Sequence, residues 1–321
     1  MPKYIISTSH YPYHNVALEE YLTDNVKENE SIFYLWQNRK TVVIGRNQNA
    51  FTECKFEKLR NDGGHLVRRL SGGGAVFHDD GNLNFSFIAA ERDYSVEKQL
   101  SVIIKALEKF GVHAEKTGRN DIEADGRKFS GNAFFQKGKK HCHHGTLMVN
   151  VDMEHLSDYL CVSADKIAGK GVASVRSRVV NLNELSPDIT IESLKSALIA
   201  AFCEIYGKAS EMLMPAGNEL AQLQEKFVSD DWIFGKIKKF DFQISNRFSW
   251  GGTEVCFAVD DAKITDAKIY TDALDTEIFE KIANALTGVN YAFAEIEKSL
   301  SPFEDPKVKD IENFIKERLF Y

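Results

Sequence analysis

The sequence predicts an α+β protein of two domains, and three observations support that prediction. Stretches that alternate apolar and polar residues, such as 82–87, indicate strands with one buried face. Stretches with apolar residues three and four positions apart, such as 95–110, indicate amphipathic helices. The 321 residues are many for one domain, and the pattern changes between Lys238 and Arg247. We therefore expect a large domain over residues 1–243 and a small α+β domain over residues 247–321.

The same patterns place the other elements in order along the chain. In the large domain they predict helices at residues 14–27, 51–60, 152–160, 191–206 and 219–227, and strands at residues 31–36, 41–44 and 147–151. In the small domain they predict strands at residues 248–259 and 263–270, followed by helices at residues 275–286 and 308–320.

Composition and charge describe a folded protein and exclude several classes of function. Apolar residues make up 43% of the chain and charged residues 27%, as in ordinary globular proteins. The formal net charge of −7 argues against a general nucleic-acid-binding protein, because such proteins need a basic face. Five cysteines without regular spacing favour a reducing compartment, and no signal-peptide core or membrane-length apolar run is evident. We expect a cytoplasmic protein that binds neither nucleic acid nor membrane.

The most informative stretch is a run of three glycines, Gly72-Gly73-Gly74, which follows Arg68 and Arg69. Glycines lose much backbone entropy on folding and have no side chain to pack, so a run of three suits a backbone that closely approaches a ligand. Successive amides can form an anion-binding concavity, and the two guanidiniums can bind phosphate or carboxylate oxygens. The alternative is a hairpin turn flanked by solvated arginines.

A polar strand face follows this loop. In the strand at 82–87, the side chains of Asn82, Asn84 and Ser86 share the face opposite the apolar one. That face meets either a ligand or solvent.

A hairpin further along the chain brings two opposite charges together. Asp125-Gly126 predicts a two-residue turn, which sets Glu123 opposite Lys128 and Asp121 opposite Ser130. Asp121 then lies diagonally from Lys128 on one face of the ribbon. The two side chains form either part of a site or a surface ion pair.

The tract His141-Cys142-His143-His144 suggests a metal site only at first sight. Adjacent strand residues point to opposite faces, so His141 and His143 can share a site that His144 cannot join. Because no second cluster at zinc-finger spacing is present, the sequence argues against a structural metal.

With these residues assembled, the chain resembles the bacterial lipoate–protein ligase family over nearly its whole length. The resemblance rests on several motifs in their order and spacing: residues 68–78 (RRLSGGGAVFH), 118–121 (GRND), 127–131 (RKFSG), 143–147 (HHGTL), 170–178 (KGVASVRSR) and 248–252 (FSWGG). It implies a mixed-sheet catalytic domain of the kind found in biotin ligases and, distantly, in class II aminoacyl-tRNA synthetases. It also implies a smaller C-terminal α+β domain that moves over the catalytic domain.

The resemblance further implies a two-step reaction with ATP and Mg²⁺ as cofactors. Free lipoic acid, or octanoate, reacts with ATP to give the acyl-adenylate and pyrophosphate. A lysine of an acceptor then attacks the adenylate. The implied acceptors are the apo lipoyl domains of 2-oxoacid dehydrogenase E2 subunits and the glycine-cleavage H protein, and the implied role is lipoate salvage.

By the same resemblance, Lys128 is the central residue, in contact with the lipoyl carbonyl and the AMP phosphate. A fixed ammonium there can neutralise charge in both steps. The implied adenylate-binding residues are Arg69, Gly74, Ala75, Val76, Phe77, Asn82 and Asp121, with Asp121 also a candidate magnesium ligand. The implied lipoate-binding residues are Leu70, Gly73, Lys128 and His144. The side chains of Leu70, Val76, Phe77 and His144 are candidates to line the acyl tunnel, and His78 is a further catalytic candidate.

Three other functions remain open alternatives. An octanoyl- or lipoyl-transferase on the same fold uses a cysteine thiolate and no ATP, and Cys142 and Cys161 are its candidate nucleophiles. The C-terminal domain argues against it, since such transferases generally lack one. A non-catalytic lipoate-binding protein would be indicated by loss of Lys128 or of the glycine run, and both are present. A biotin ligase would carry a glycine-arginine-glycine-arginine loop, which is absent.

Overall fold

The computed structural model describes residues 1–118, 120–153, 158–161, 178–215, 217–235 and 239–321. Residues 154–157 of the predicted helix at 152–160 and most of the motif at 170–178 lie outside these residues, as does Arg119. Each helix in the described part of the chain is too short or too polar to cross a bilayer.

The N-terminal half is built on a mixed eight-stranded sheet. Its strands are β1 (Pro2–Ile6), β2 (Ser31–Trp36), β6 (Asn82–Ala90), β7 (Ala114–Thr117), β8 (Asp121–Ala124), β9 (Arg127–Lys137), β10 (Lys140–Met148) and β11 (Ser210–Glu211). Their order across the sheet is β11-β1-β2-β6-β10-β9-β8-β7. Strand β1 pairs in parallel with both of its neighbours, and the pairs from β2 to β7 are antiparallel. The predicted mixed-sheet α+β class is therefore confirmed.

Strand β6 shows how the sequence pattern places the sheet between two layers. Leu83, Phe85 and Phe87 are buried in one core, which they share with helices α4 (Val96–Glu108) and α6 (Ile191–Tyr206). Full burial of such side chains contributes about 1.5–3 kcal/mol each. The opposite face of the sheet is covered by helix α1 (Pro12–Asn25), so the polar face of β6 is buried as well rather than solvated.

A small three-stranded sheet packs beside α1, with β3 (Thr41–Ile44) between β4 (His65–Arg68) and β5 (Val76–His78). The predicted single helix at 51–60 is wrong: two short helices occur, α2 (Ala50–Glu53) and α3 (Phe56–Asn61). Cys54 lies between them, in an antiparallel bridge to Leu160. Backbone bonds from Lys55 N–H to Tyr159 and from Cys161 N–H to Glu53 interrupt the helix there.

The described residues of this half also form helices α5 (Leu182–Leu185), α7 (Asn218–Val228) and α8 (Asp230–Ile233). Capping side chains fix several helix starts. The Ser95 side chain accepts from Lys98 N–H at the start of α4, and Thr190 and Ser193 form a capping box at the start of α6.

The C-terminal half has its own sheet and core. Its strands are β12 (Phe242–Phe248), β13 (Gly251–Asp260) and β14 (Lys263–Thr271), and its helices are α9 (Glu277–Leu286), α10 (Phe293–Leu300) and α11 (Pro306–Leu319). Neither α10 nor a strand beginning at Phe242 was predicted. Because β12 pairs with β13 along its whole length, we propose that the domain boundary lies before Phe242 rather than between residues 243 and 247.

The two halves meet at the glycine run. Gly73 N–H donates to the Ala273 carbonyl at 2.8 Å, and Thr271 N–H donates to the Asn47 carbonyl at 2.9 Å. The Asn47 amide also donates to the Thr276 carbonyl at 2.9 Å. A Cβ on Gly72 would overlap carbonyl atoms of the chain at 273–274, so only glycine permits this approach.

Candidate active site

A cavity of about 210 Å³ lies between the polar face of the large sheet and the glycine-run loop. Strands β6, β9 and β10 form its floor, α1 one wall, and the loop together with β5 its roof. Its lining is largely apolar, from Val16, Trp36, Val43, Ala75, Val76 and Ala133.

The floor is a row of side chains across the sheet. Trp36 on β2 pairs with Asn84 on β6, and Asn84 pairs with Thr146 on β10. Gly131 N–H on β9 donates to Thr146 Oγ1 at 3.3 Å, and Gly131 pairs with Asp121 on β8. Directly opposed residues of an antiparallel pair share one face of the sheet. The residues of this row therefore lie on one face, from Trp36 at the apolar wall to Asp121.

At one end of this row, Lys128 Nζ lies 2.7 Å from an Asp121 carboxylate oxygen, with both side chains about one-third exposed. The predicted diagonal relation is thus present, but the predicted opposition of Asp121 to Ser130 is wrong. A bulge between Ile122 and Glu123 shifts the register, so Asp121 pairs with Gly131. The bulge turns Lys128 toward Gly131, where a Cβ would lie 3.2 Å from Nζ.

The two arginines before the glycine run do not reach out to solvent. The Arg69 guanidinium donates to the carbonyls of Val43, Gly72 and Gly74 and to Ser71 Oγ. Burial lowers the pKa of Arg69 to about 10, which leaves it charged at neutral pH. Arg69 therefore shapes the loop while lining the cavity.

Arg68 is held in a similar way, away from the cavity. Its guanidinium donates to the carbonyls of Gly45, Arg46, Gln48, Trp232 and Ile233. The prediction that both guanidiniums bind an anion is corrected: five backbone carbonyls surround the Arg68 guanidinium and three surround that of Arg69.

The far end of the cavity holds a buried hydrogen-bond chain that the sequence reading missed. His144 Nε2 lies 2.6 Å from Ser71 Oγ, and His144 Nδ1 lies 2.9 Å from a Glu19 oxygen. Ser86 Oγ donates to Glu19 at 2.5 Å and accepts from Trp36 Nε1 at 3.0 Å. The signal that could have revealed Glu19 is a carboxylate on the apolar face of the first helix.

The histidine tract divides between the two faces of β10 as expected, but His141 and His143 have separate partners. His141 stacks on Tyr94, and His143 lies 2.9 Å from both Gln99 and Asn132, so these two histidines do not share a site. On the cavity face, the ligand atoms of Glu19, Cys142 and His144 lie within 4.8 Å of one another. The hydrogen bonds of His144 to Glu19 and Ser71 already engage both of its ring nitrogens.

The predicted site residues fall into two groups. Those that line the cavity are Arg69, Gly73, Gly74, Ala75, Val76, His78, Lys128 and His144. Four do not: Leu70, Phe77, Asn82 and Asp121. Alternation along β5 turns Val76 and His78 toward the cavity and Phe77 toward Tyr159, 5.3 Å away between ring centroids. Leu70 packs in the core beside α1, so neither Leu70 nor Phe77 lines an acyl tunnel.

Neither candidate cysteine nucleophile lines the cavity in the described part of the chain. Burial, reinforced by Glu19, raises the pKa of Cys142 well above its usual value. Burial also raises the pKa of Cys161 despite nearby Lys55. A thiol with a raised pKa is a poor nucleophile at neutral pH.

Comparison with known proteins identifies the family. The model of the lipoyl protein ligase A/B catalytic domain matches residues 11–203, and that of the bacterial lipoate protein ligase C-terminus matches residues 238–318. A lipoate-protein ligase A of Psychrobacter cryohalolentis is 38% identical over 291 residues, covering 87% of this chain and 86% of that protein. One of Bdellovibrio bacteriovorus is 37% identical over 311 residues, covering 93% and 91%.

Solved structures agree with this result. LipL1 of P. falciparum, crystallised with lipoate, superposes with a TM-score of 0.87 and 29% identity over 99% of this chain and 100% of that chain. A lipoate-protein ligase A bound with ATP superposes with a TM-score of 0.62 over 73% of this chain and 99% of that chain; at 23% identity this likeness shows the fold alone. The chain therefore belongs to the lipoate–protein ligase family and is an enzyme of the ligase class.

Proposed function

We propose that this enzyme activates free lipoate with ATP and transfers the lipoyl group to a lysine of an acceptor protein. The observation that carries the proposal is the cavity, which has apolar walls and the Lys128 ammonium at one end. A fatty chain gains about 0.8 kcal/mol for each buried methylene, so an apolar cavity with a cation at one end suits a fatty acid carboxylate. The lipoate-bound P. falciparum relative, which aligns over nearly the whole chain, supports this choice.

Lys128 has a role in both proposed steps. In the first step, a lipoate carboxylate oxygen attacks the α-phosphorus of ATP, and the bond to pyrophosphate breaks. In the second step, the neutral amine of the acceptor lysine attacks the acyl carbon, AMP leaves, and the proton of the amine passes to water. The Lys128 ammonium neutralises the oxygens that carry negative charge in each step, and Asp121 orients it at 2.7 Å.

The nucleotide is proposed to bind along the glycine-run loop, at Gly74, Ala75, Val76 and the backbone of Phe77. Arg69 holds that loop in shape through its carbonyl contacts. Asn82 does not line the cavity; its amide donates to Asn84 at 2.9 Å and so holds the side chain of that floor residue. Asp121 offers a partly exposed carboxylate beside Lys128 and fits a magnesium ligand, since Mg²⁺ needs only one or two carboxylates when substrate phosphates supply other oxygens. Bound magnesium would offset phosphate charge.

The lipoyl chain is proposed to extend from Lys128 toward His144, past Gly73. Leu70 supports that wall from the core behind it. The proposed acceptors are the apo lipoyl domains of E2 subunits and the glycine-cleavage H protein, and octanoate is an alternative acyl substrate.

The test is pyrophosphate release with ATP and magnesium, measured with and without lipoate. Wild type should show lipoate-dependent release, and Lys128→Ala should lose it. Lys139→Ala is the matched control, because Lys139 is exposed at the far turn of the same β9–β10 hairpin and should behave as wild type. Acyl transfer that proceeds without ATP and fails in Cys161→Ser would instead indicate the thiolate-dependent transferase.

A further inference from the structure

A chain of buried polar side chains runs beneath the cavity floor and ends beside Lys128. His143 on β10 pairs with Phe87 on β6 and so lies on the core face of the sheet, opposite the cavity. Its Nε2 lies 2.9 Å from Oδ1 of Asn132 on β9. His143 is 0% exposed and Asn132 is 4% exposed. Polar groups at this depth cost stability unless they are paired, so their partners show what the chain holds in place.

The hydrogen bonds fix which atoms of this chain donate. The Asn132 amide nitrogen donates to the Asn120 carbonyl at 3.0 Å, so Asn132 Oδ1 is the end that faces His143. An amide oxygen only accepts, so His143 Nε2 carries a proton and donates it. Burial lowers the pKa of His143 to about 3, so the ring is neutral at pH 7 and its Nδ1 accepts. The Gln99 amide, 2.9 Å from Nδ1, then offers its nitrogen to that atom, because the two ends of an amide are alike in shape.

Asn132 and Asn120 are joined by hydrogen bonds in both directions. The backbone N–H and the side-chain amide of Asn132 both donate to the Asn120 carbonyl, at 2.8 and 3.0 Å. The Asn120 side-chain amide donates to the Asn132 carbonyl at 2.8 Å. Any residue at position 132 except proline could make the backbone bond, whereas the other two depend on the asparagine side chains. These side chains therefore hold Asn120 more firmly than strand pairing alone.

Gly145 leaves room for this arrangement. It pairs with Asn132 across β9 and β10, and a Cβ on Gly145 would lie 2.8 Å from Asn132 Oδ1 and 2.5 Å from the Phe85 ring. The amide oxygen can therefore lie over the glycine and reach His143, two residues away on the same strand. Within the 143–147 motif, His144 thus serves the cavity, while His143 and Gly145 serve the Asn132 amide.

The chain ends at the charged pair of the site. Asn120 immediately precedes Asp121, whose carboxylate lies 2.7 Å from Lys128 Nζ. Asp121 pairs with Gly131, which is the residue before Asn132. The side chains of Asp121 and Lys128 are about one-third exposed, so close packing does little to place them. Their placement depends instead on the backbone that the Asn120–Asn132 bonds hold.

We propose that His143 and Asn132 are positioning residues for adenylation, which act through Asn120 to hold the Asp121 carboxylate where it orients the Lys128 ammonium. A charge held in place before the reaction stabilises the transition state without further reorganisation. Hydrogen bonds of the core thereby determine the geometry of a partly exposed pair. The inference rests on the proposed ligase function and adds two residues to its first step.

Asn132→Asp tests the inference with little change of shape. It keeps the oxygen that accepts from His143 and replaces the nitrogen that donates to Asn120 with an oxygen, which repels the Asn120 carbonyl. Lipoate-dependent pyrophosphate release should show kcat reduced about 3- to 10-fold, as expected for the loss of one hydrogen bond, with the Kd for lipoate nearly unchanged. A general loss of structure would weaken lipoate binding as well.

A double-mutant cycle with Asp121→Asn shows whether Asn132 acts through that carboxylate. In the Asp121→Asn background, Asn132→Asp should change kcat less than about twofold, because the group that Asn132 positions is already removed. Effects that multiply in the double variant overturn the inference, since Asn132 would then act independently of Asp121. A normal kcat in Asp121→Asn beside an impaired Asn132→Asp overturns it for the same reason.

A second variant guards against misfolding of Asn132→Asp. His143→Leu removes the N–H that holds the Asn132 amide and should lower kcat by a similar factor, with the same dependence on Asp121. His143→Gln restores an N–H donor and should recover part of the loss. His141→Leu is the matched control, because His141 shares the strand and the face with His143 but stacks on Tyr94, and its kcat should equal that of wild type.

The outcomes separate this inference from the proposed function. Normal kcat in folded Asn132→Asp and His143→Leu, in an enzyme whose wild type shows lipoate-dependent pyrophosphate release, overturns only the positioning role. A wild type without that release overturns the proposed function.

Discussion

Replacing Gly72 with alanine tests how the C-terminal half is held on the glycine-run loop. A Cβ on Gly72 would overlap the carbonyl oxygens of Ala273 and Leu274, which are backbone atoms that cannot turn aside as a flexible side chain can. Gly74 is the matched control, because a Cβ there meets nothing within 4 Å. Neither glycine has the positive φ that would itself disfavour alanine.

The expected magnitude follows from the contacts at risk. Three hydrogen bonds join the halves beside Gly72: Gly73 N–H to Ala273, Thr271 N–H to Asn47, and the Asn47 amide to Thr276. At about 0.5–1.5 kcal/mol each, their loss costs about 1.5–4.5 kcal/mol of docking free energy. That corresponds to a roughly 10- to 10³-fold shift of the docking equilibrium toward the separated state.

Amide hydrogen exchange measures this shift directly. The amides of Gly73 and Thr271 exchange only when the halves separate, so their protection in Gly72→Ala should fall about 10- to 10³-fold, while amides in the core of β6 keep theirs. Gly74→Ala should retain wild-type protection at both amides. If Gly72→Ala protects Gly73 and Thr271 as well as wild type does, the docking argument is refuted.

Three further predictions concern chemistry and stability. Asp121→Asn removes the carboxylate 2.7 Å from Lys128, and steady-state kinetics should show a lower kcat for adenylation with a larger change in KM for ATP than for lipoate; equal KM changes would contradict the magnesium role. Cys161→Ser should leave the transfer rate unchanged, because burial raises the pKa of that thiol, and a slow variant would contradict this reading. Stability should fall as pH drops below about 6.5, because buried His78 and His143, each with its pKa lowered to about 3, take up protons only on unfolding. Each histidine adds about 1.4 kcal/mol per pH unit to the slope of the unfolding free energy against pH. Urea unfolding of wild type and His143→Phe at several pH values around about 5.5 should therefore show a smaller slope in the variant.

Elements whose stability is local follow from the sequence pattern alone. The predicted bounds of β2, β3 and α6 coincide with those in the structure, because alternation and capping residues lie within each segment. The Asp125-Gly126 turn forms with positive φ at both residues, as its chemistry requires. The family motifs identified the family for the same reason: they are contiguous in the chain.

Features that depend on contacts between distant residues follow only from the folded chain. The Asp121 register depended on a bulge, and the use of both arginines depended on carbonyls that the folded loop gathers around them. Glu19 became part of the cavity only because His144, 125 residues away, packs against it. The docking of Gly73 on Ala273 joins segments separated by 200 positions. Periodicity reports which face of an element is buried, whereas these features depend on which partner buries it, and that follows from the packing of the whole chain.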